Sequence, residues 1–440
     1  MPRDEGAIWL KVADRELRIT HPEKLYFSQQ CTVTKLQLVE YYARVAQGAL
    51  AGIAGRPIVL KRFVGGAEAA PFYQKRAPES RPAWVRSVVL SFPSGKTAEE
   101  VVVDDIAGLI WIVNLGCLEL HPHPIRAEDL EHPDELRVDL DPGPGVPWKD
   151  VVRVALEVKA LLDELGLVGF PKTSGSRGIH INVRIAPRWG FSELRNAALA
   201  LAREVERRVP KLATSKWWKD ERHGVFIDYN QNAKDRTTCS AFSVRPLPDA
   251  RVSTPLGWDE VPDCDPADFT LFTVPKRFAE ISDPHAGMDV QVGTLDGLLE
   301  LSARDAAAGV ADAPWPGRFP RRTAATRGSA PREVPTEVPA VAAPSLAAAP
   351  SKAAGSRRAR SAALLVIAKS PNRDAALAGL ERWLHAHPDA AAHLQLEDIL
   401  VDSMRGRSSS WTRVRVNVRN VPAELRPKQT KPDPDDDPTA

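Results

Sequence analysis

The stretch Arg137-Val138-Asp139-Leu140-Asp141-Pro142-Gly143-Pro144-Gly145 reads as a strand that ends in acid and then turns. Val138 and Leu140 alternate with Arg137, Asp139 and Asp141, and a period of two puts both aspartates on one face and the apolar pair on the other. Carboxylates held side by side raise each other's pKa, and a shared proton or a bound cation is the usual relief. Pro142 and Gly145 stop the strand just past Asp141, so the acids sit at its end, within reach of a ligand. A solvated Asp-Pro turn would use the same nine residues, so the neighbouring segments must decide.

Downstream, Val151, Val154, Ala155, Val158, Leu161, Leu162 and Leu165 repeat at helical spacing, with Asp150 expected as the cap and Gly166 as the stop. Phe170-Pro171-Lys172-Thr173-Ser174-Gly175-Ser176-Arg177-Gly178 follows. Small residues whose backbone N–H groups are free to point inward, plus one arginine, suit an anion cradle. An ordinary turn is the alternative, and the Gly-Lys-Ser/Thr ending of a Walker loop is missing. The next strand, Ile179 to Val183, carries His180 and Asn182 on its polar face, continued by Arg184. After a basic amphipathic helix from Ser192 to Val209, Val225-Phe226-Ile227-Asp228 again closes an apolar strand with an aspartate. Two octahedral cations sharing ligands need more acid than one pair supplies, and a third carboxylate at a strand end is what such a site would need.

Upstream, a β-like run from Leu17 to Thr20 turns at His21-Pro22, and Thr34 stands as N-cap of a helix through Leu36, Val39 and Tyr42. Lys24 and Lys35 flank the turn and by themselves read as solvated surface. Pro57 to Phe63 is a buried strand containing Lys61 and Arg62. Phe72 and Tyr73 stand beside Lys75, an arrangement suited to stacking on bases next to phosphate contacts, or else one core ring and one edge ring. Cys117 to Leu120 is a strand ending at His121-Pro122-His123-Pro124. Two histidines on one turn are too few for a metal site, so a hydrogen-bonding role is the safer reading.

With 440 residues and 43% hydrophobic content the chain holds two or three globular domains. Lysine plus arginine (59) nearly equals aspartate plus glutamate (57), so any basic groove is local. Cys31, Cys117, Cys239 and Cys264 form no C-x-x-C pair, which argues against a zinc ribbon or disulfide framework. The charged N-terminus lacks an apolar signal region and no run reaches membrane-span length, so a cytoplasmic protein without a membrane partner is expected. Residues 256–306 are mixed helix and loop with no assigned chemistry. From 313 to 360 the composition shifts to Ala, Pro, Arg and Ser, a disordered linker. Residues 361–425 regain globular character as a small α+β module, with Asp374 capping a helix. Arg413, Arg415 and Arg419 share one strand face there, open to phosphate contact or simple solvation. Residues 426–440, with Asp435-Asp436-Asp437, form a disordered tail.

In order, these segments give paired aspartates, a Ser/Gly loop leading into a His-bearing strand, and a third aspartate ending a strand. That series resembles the archaeo-eukaryotic primase superfamily, through Val138 to Asp141, Gly178-Ile179-His180 and Ile227-Asp228. Within it the chain looks most like the polymerase domain of bacterial ligase D from about Leu17 to Asp305, on its Asp-Leu-Asp-Pro-Gly, Thr-Ser-Gly-Ser-Arg-Gly-Ile-His and Asp-Tyr-Asn-Gln-Asn runs. The resemblance implies an α/β (α+β) primase-polymerase core over residues 1–312, with central, mainly antiparallel sheets flanked by helices.

It also implies a template-dependent DNA/RNA nucleotidyltransferase that fills gaps or extends ends in repair such as non-homologous end joining, favouring ribonucleotides. Asp139, Asp141 and Asp228 would hold two Mn²⁺ or Mg²⁺ ions. Ser174, Gly175 and His180 would cradle phosphates, with Lys61, His121, Gln231 and Arg245 as further nucleotide contacts and Phe72 as a base platform. Lys24 and Lys35 match lysines that bind a DNA 5′-phosphate. The family commonly has asparagine where this chain has His21, and phenylalanine and lysine where it has Tyr73 and Arg236. Expected partners are gapped or broken DNA, NTP or dNTP substrates, the Ku end-binding protein and a separate DNA ligase, in the nucleoid-associated cytoplasm. No Lys-x-Asp-Gly ligase motif occurs, so a stand-alone form is expected. The competing readings are a non-catalytic scaffold that binds 5′-phosphorylated ends and a metal-dependent hydrolase using the same acids.

Overall fold

The computed structural model describes residues 6–92, 95–315, 364–370, 373–394, 398–405, 410–418, 420–428, 430 and 432. The chain divides into two compact units, Met1–Ser329 and Ala330–Ala440. The expected linker, apart from residues 313–315, lies outside the described residues, as do Arg419 and residues 433–440 of the tail.

The first unit opens with a hairpin, β1 (Ala7–Val12) and β2 (Arg15–Thr20), then a short pair, β3 (Leu25–Phe27) and β4 (Val33–Thr34). Helix α1 (Lys35–Arg44) starts where Thr34 predicts. The Thr34 hydroxyl accepts from the Gln37 backbone while the Gln37 side chain accepts from Thr34 N–H, a closed capping box. After α2 (Ala46–Ile53) come β5 (Arg56–Arg62), β6 (Phe72–Gln74), β7 (Ser87–Ser91), β8 (Thr97–Val103), α3 (Ile106–Asn114) and β9 (Cys117–Pro122). β5 is the spine of this antiparallel sheet: it pairs with β8 and β6 on one edge and β9 on the other. Helices α1, α2 and α3 close one apolar core over it, with Tyr42, Ile58, Leu60, Ile110 and Leu118 inside.

A second sheet follows: β10 (Glu135–Pro142), then α4 (Trp148–Glu164), β11 (Gly169–Thr173), β12 (Ile179–Arg184), α5 (Phe191–Arg208), β13 (Ala213–Thr214) and β14 (Val225–Ile227). Its order is β11-β12-β10-β14-β13, antiparallel except for the β13–β14 pair. Helix α4 begins at Trp148 after Pro147, so Asp150 lies in the first turn rather than at the cap. There its charge still opposes the helix dipole. With α6 (Val274–Ile281) and α7 (Asp296–Ala307) completing the unit, a second core forms around Leu136, Val138, Leu140, Val158, Ile181 and Leu201.

β10 alternates as its sequence predicts, yet is largely buried on both faces. Its apolar face packs into the second core, but most of its polar face is buried too. Glu135, Arg137, Asp139 and Asp141 follow one another along that face at period two. At its start Arg137 Nε donates to Glu135 Oε1 at 2.7 Å and Nη1 to the Pro122 carbonyl of β9 at 3.0 Å. Arg56 of β5, fully buried, pairs with Asp134 at 2.6 Å and lies 3.8 Å from Glu135. The two sheets are therefore joined by ions that have left water, and such groups persist only when paired.

In the second unit, β15 (Leu364–Ser370), α8 (Arg373–Ala386), β16 (Ile399–Arg405) and β17 (Ser410–Asn417) make a three-stranded antiparallel sheet, order β15-β17-β16, with the helix packed on it. Asp374, expected before the helix, is its second residue. Leu365, Ile367, Val414, Val416 and Trp383 are its core, and Arg413 and Arg415 stand half-buried between them in sequence.

Removing one partner from the inter-sheet network leaves buried carboxylates undercompensated. Arg56→Met is expected to destabilise the protein by about 3 kcal/mol, read as a lower denaturation midpoint. An unchanged midpoint would show that Arg126 and Arg184 suffice for Asp134 and Glu135.

Candidate active site

Asp139 and Asp141 leave the end of β10, and Asp228 follows β14, whose register with β10 sets Leu140 against Ile227. The Asp228 backbone N–H donates to the Asp139 carbonyl at 2.8 Å. One oxygen from each of the three carboxylates lies within 4.8 Å of the others. Asp228 is steadied by the Asn230 backbone N–H and by Gln231 Nε2, each 3.0 Å from a carboxylate oxygen.

Burial pushes the Asp139 carboxyl up to about 6, against the pull of Lys172 and Arg245. Asp141 is also raised to about 6, by burial and then by the charges of Asp139 and Asp228. Burial and Asp139 raise Asp228 as well. Asp139 Oδ1 is buried without a hydrogen bond, although His180 Nε2 lies 3.2 Å away, off line. An orphaned buried carboxylate oxygen with two further carboxylates beside it fits a hard divalent cation, which takes oxygen ligands.

These acids open into a cavity of about 280 Å³. Asp139, Asp141, Ser174, His180 and Gln231 line it from the second sheet and its loops, and His121 lines it from β9 of the first; Arg245 joins them from a later loop. The Ser/Gly loop is built differently from its expected form. Ser174 Oγ accepts from the Ser176 and Gly178 N–H groups at 3.2 and 3.0 Å, so those donors are not free for a ligand. Gly175 has φ +68°, and a Cβ there would lie 2.5 Å from Arg245 Cγ and 2.8 Å from Ser253 N. Only glycine lets the loop fold against Arg245 in this way.

Two residues to which the sequence reading gave no role organise the walls. Glu119 of β9 is buried and faces three of the expected nucleotide contacts. It pairs with Lys61, its cross-strand neighbour on β5, and lies 3.0 Å from Arg245 Nε and 3.5 Å from His121 Nε2. Burial alone would raise its pKa, but the His121 hydrogen bond and the Arg245, His121 and Lys61 charges outweigh it and hold Glu119 at about 2. The signal was present in Cys117-Leu118-Glu119-Leu120-His121, where a period of two puts Glu119 and His121 on one face. Lys172 of β11, also buried, lies 2.9 Å from His180 Nδ1 and 2.6 Å from Ser253 Oγ. Its burial lowers it to about 8, and burial followed by the Lys172 charge pushes His180 well below its ordinary range.

Other expected residues stand apart from the cavity. Lys61 reaches it only through Glu119. Phe72 and Tyr73 on β6 are both exposed, at 38% and 57%, so neither is the core ring that one reading allowed. Lys24 donates to the Val64 carbonyl, while Lys35 is buried and donates to Thr20 O at 2.7 Å and Thr20 Oγ1 at 3.0 Å. Burial, then Lys24 and Arg62, lowers Lys35 to about 8. His21 sits at φ +51°, a left-handed position that asparagine and histidine both tolerate. Those cations form a second patch around the β2–α1 turn.

A family model described as the LigD primase-polymerase domain matches residues 34–285. The chain belongs to that family. LigD primase-polymerase domains are DNA nucleotidyltransferases, and the mixed α/β fold with its antiparallel sheets is theirs. The chain is 33% identical over 294 residues to the multifunctional non-homologous end joining protein LigD of Mycolicibacterium smegmatis, covering 66% of this chain and 38% of that protein. With the bifunctional LigD of Bacillus subtilis it shares 30% over 272 residues, 61% of this chain and 43% of the relative. It thus spans about two fifths of the length of the curated relatives it matches. The solved polymerase domain from Mycobacterium tuberculosis Ligase D, in complex with DNA, aligns with a TM-score of 0.57 at 30% identity, over 62% of this chain and 98% of that one. No helix among the described residues is long and apolar enough to cross a membrane.

The carboxylate cluster generates a prediction for protein held in chelator. At pH 7.5, Asp141→Asn removes a like charge and should raise the thermal midpoint by about 2–4 °C, the shift that roughly 1 kcal/mol gives in a domain of this size. Mn²⁺ should raise the wild-type midpoint and leave the variant's nearly unchanged. Because folding raises Asp139 and Asp141 to about 6, protonation favours the folded state. Chelated wild type therefore gains stability as pH falls through 6, while the Mn²⁺ effect disappears. A Mn²⁺ effect that persisted at pH 5 would count against these ligands.

Proposed function

We propose that this chain is a template-dependent nucleotidyltransferase that fills short gaps or extends ends in DNA, serving non-homologous end joining or related gap-filling repair. The observation that carries the reading is the gathering of Asp139, Asp141 and Asp228 within 4.8 Å, at a cavity whose other walls offer donors suited to phosphate. Two Mn²⁺ or Mg²⁺ ions held by these carboxylates would lower the pKa of a primer 3′-hydroxyl and neutralise charge during in-line displacement on a triphosphate.

The chain's own groups do the rest. Ser174 offers its hydroxyl proton to a phosphate oxygen, in the loop that Gly175 allows. His180 donates from its ring. Arg245 and His121 provide positive or donor contacts from the cavity wall and Lys61 adds positive charge behind it, all three gathered around Glu119, and Gln231 holds Asp228 while facing the nucleotide. Phe72 offers an exposed face on which a base can stack, a contact worth about 1–3 kcal/mol. Lys24 and Lys35 suit a DNA 5′-phosphate, since an anion there would relieve the crowding of two lysines and Arg62. We extend the same reading to a ribonucleotide preference, to Ku and a separate ligase as partners, and to residence at the nucleoid. Catalytic residues 1–312, a linker over 313–360, an accessory module over 361–425 and a tail over 426–440 complete the proposed layout.

The test is primer extension on a 5′-phosphorylated gapped duplex with Mn²⁺ and either ribo- or deoxynucleotides. Asp139→Ala should lower incorporation by about 10²–10³-fold or more while DNA binding persists. Lys24→Ala should reduce the preference for 5′-phosphorylated over 5′-hydroxyl gaps by about tenfold, as expected for one lost charged hydrogen bond. A well-folded wild type that binds such gaps but incorporates nothing would overturn the enzyme reading and favour the end-binding scaffold. Phosphate or nucleotide release without extension would favour a hydrolase.

A further inference from the structure

Lys172 is 1% exposed and stands directly across the β11–β12 ladder from His180. Its Nζ has two close neighbours, His180 Nδ1 at 2.9 Å and Ser253 Oγ at 2.6 Å. The Ser253 hydroxyl gives its single proton to the Thr173 carbonyl at 2.7 Å. Ser253 Oγ therefore accepts from Lys172. An ammonium has donors and no lone pair, so His180 Nδ1 must accept from it as well. A neutral imidazole that accepts at Nδ1 carries its one proton on Nε2. That nitrogen lies on the cavity side, 3.2 Å from Asp139 Oδ1.

Which nitrogen holds the proton decides what the cavity offers an anion. With Nε2–H, a phosphate oxygen or the Asp139 carboxylate meets a donor. With the proton on Nδ1, both meet a lone pair, and Lys172 is left buried with a proton facing a proton. Turning the ring over instead would put a C–H against the ammonium and strand a buried charge. We propose that Lys172 is a positioning residue that locks His180 in the Nε2–H tautomer, so that the ring presents a fixed donor to an incoming nucleotide phosphate. The identity of that anion rests on the nucleotidyltransferase reading; the tautomer does not.

The experiment is a long-range ¹H–¹⁵N correlation on the ¹⁵N-labelled full chain at pH 7.5, in which the two neutral tautomers give different two-bond coupling patterns. His180 is identified among the ten histidines by the signals lost in His180→Asn. Wild type should give the Nε2–H pattern alone. In Lys172→Met, which keeps length but no donor, the Nδ1–H form should appear, and the KM for nucleotide should rise about tenfold with the KM for DNA unchanged. Lys172→Gln, which can still donate, should restore part of both.

An Nδ1–H or mixed pattern in wild type would overturn the proposal, and so would a Met variant that kept the Nε2–H pattern and the wild-type KM. If the Met variant does not fold, the wild-type spectrum and the Gln variant decide alone. Wild type with the Nε2–H pattern but no nucleotide incorporation would leave the lock standing and remove the polymerase reading, so the two can fail separately.

Discussion

Like charges crowded at the end of β10 set the terms for everything around them. Three carboxylates within 4.8 Å in a largely dehydrated site repel one another, and the fold answers with cations placed one layer back. Lys172 and Arg245 lower Asp139, and those cations are themselves restrained: Ser253 and His180 hold Lys172, while Glu119 holds Arg245. The result is alternating layers of charge, each compensated by the next, with Asp141 exposed at the opening. Buried ions survive only in such company. At the other end of the same strand face, Glu135, Arg137 and Arg56 repeat the arrangement as buried pairs. β10 is thus a rod of ionised groups, paired at its start and open to a cavity at its finish.

Period-two reasoning found the aspartates and the polar face of β12, and helical spacing found the Thr34 cap, because each depends on neighbours a few residues away. What it missed depends on pairing. Glu119 acquires its role by standing opposite Lys61, and Lys172 by standing opposite His180. Neither register can be read from one strand alone. The Ser/Gly loop illustrates a different gap: its composition marked a tight turn, which lies beside the cavity, yet the Ser174 oxygen takes the nearest N–H groups before a ligand can. Serine side chains compete locally for backbone donors in this way. Asp228 shows a third case, since only the order of segments in a known family tied it to residues about ninety positions earlier.

The strand from Arg137 to Asp141 is central and mostly buried on both faces, because alternation reports chemistry and not solvent. The first sheet meets the polar face, through Pro122 and Arg56, while the apolar residues pack into the second core. Charged residues at period two are therefore compatible with a strand between two layers, provided that the covering layer brings opposite charges. Here it brings Arg56, and it also brings the Glu119 cluster.

Because the cavity draws Asp139, Ser174 and His180 from the second sheet and its loops and His121 from the first sheet, it exists only while the two are docked. An anion that grips both walls binds the docked arrangement alone, and by mass action it tightens the joint in proportion to the logarithm of its concentration. Substrate supply and mechanical cohesion then become one variable. A chain short of ligand has a looser seam, held by contacts such as the Arg56 ions and the Arg137 hydrogen bond to Pro122, and a ligand that bridges the walls stiffens it.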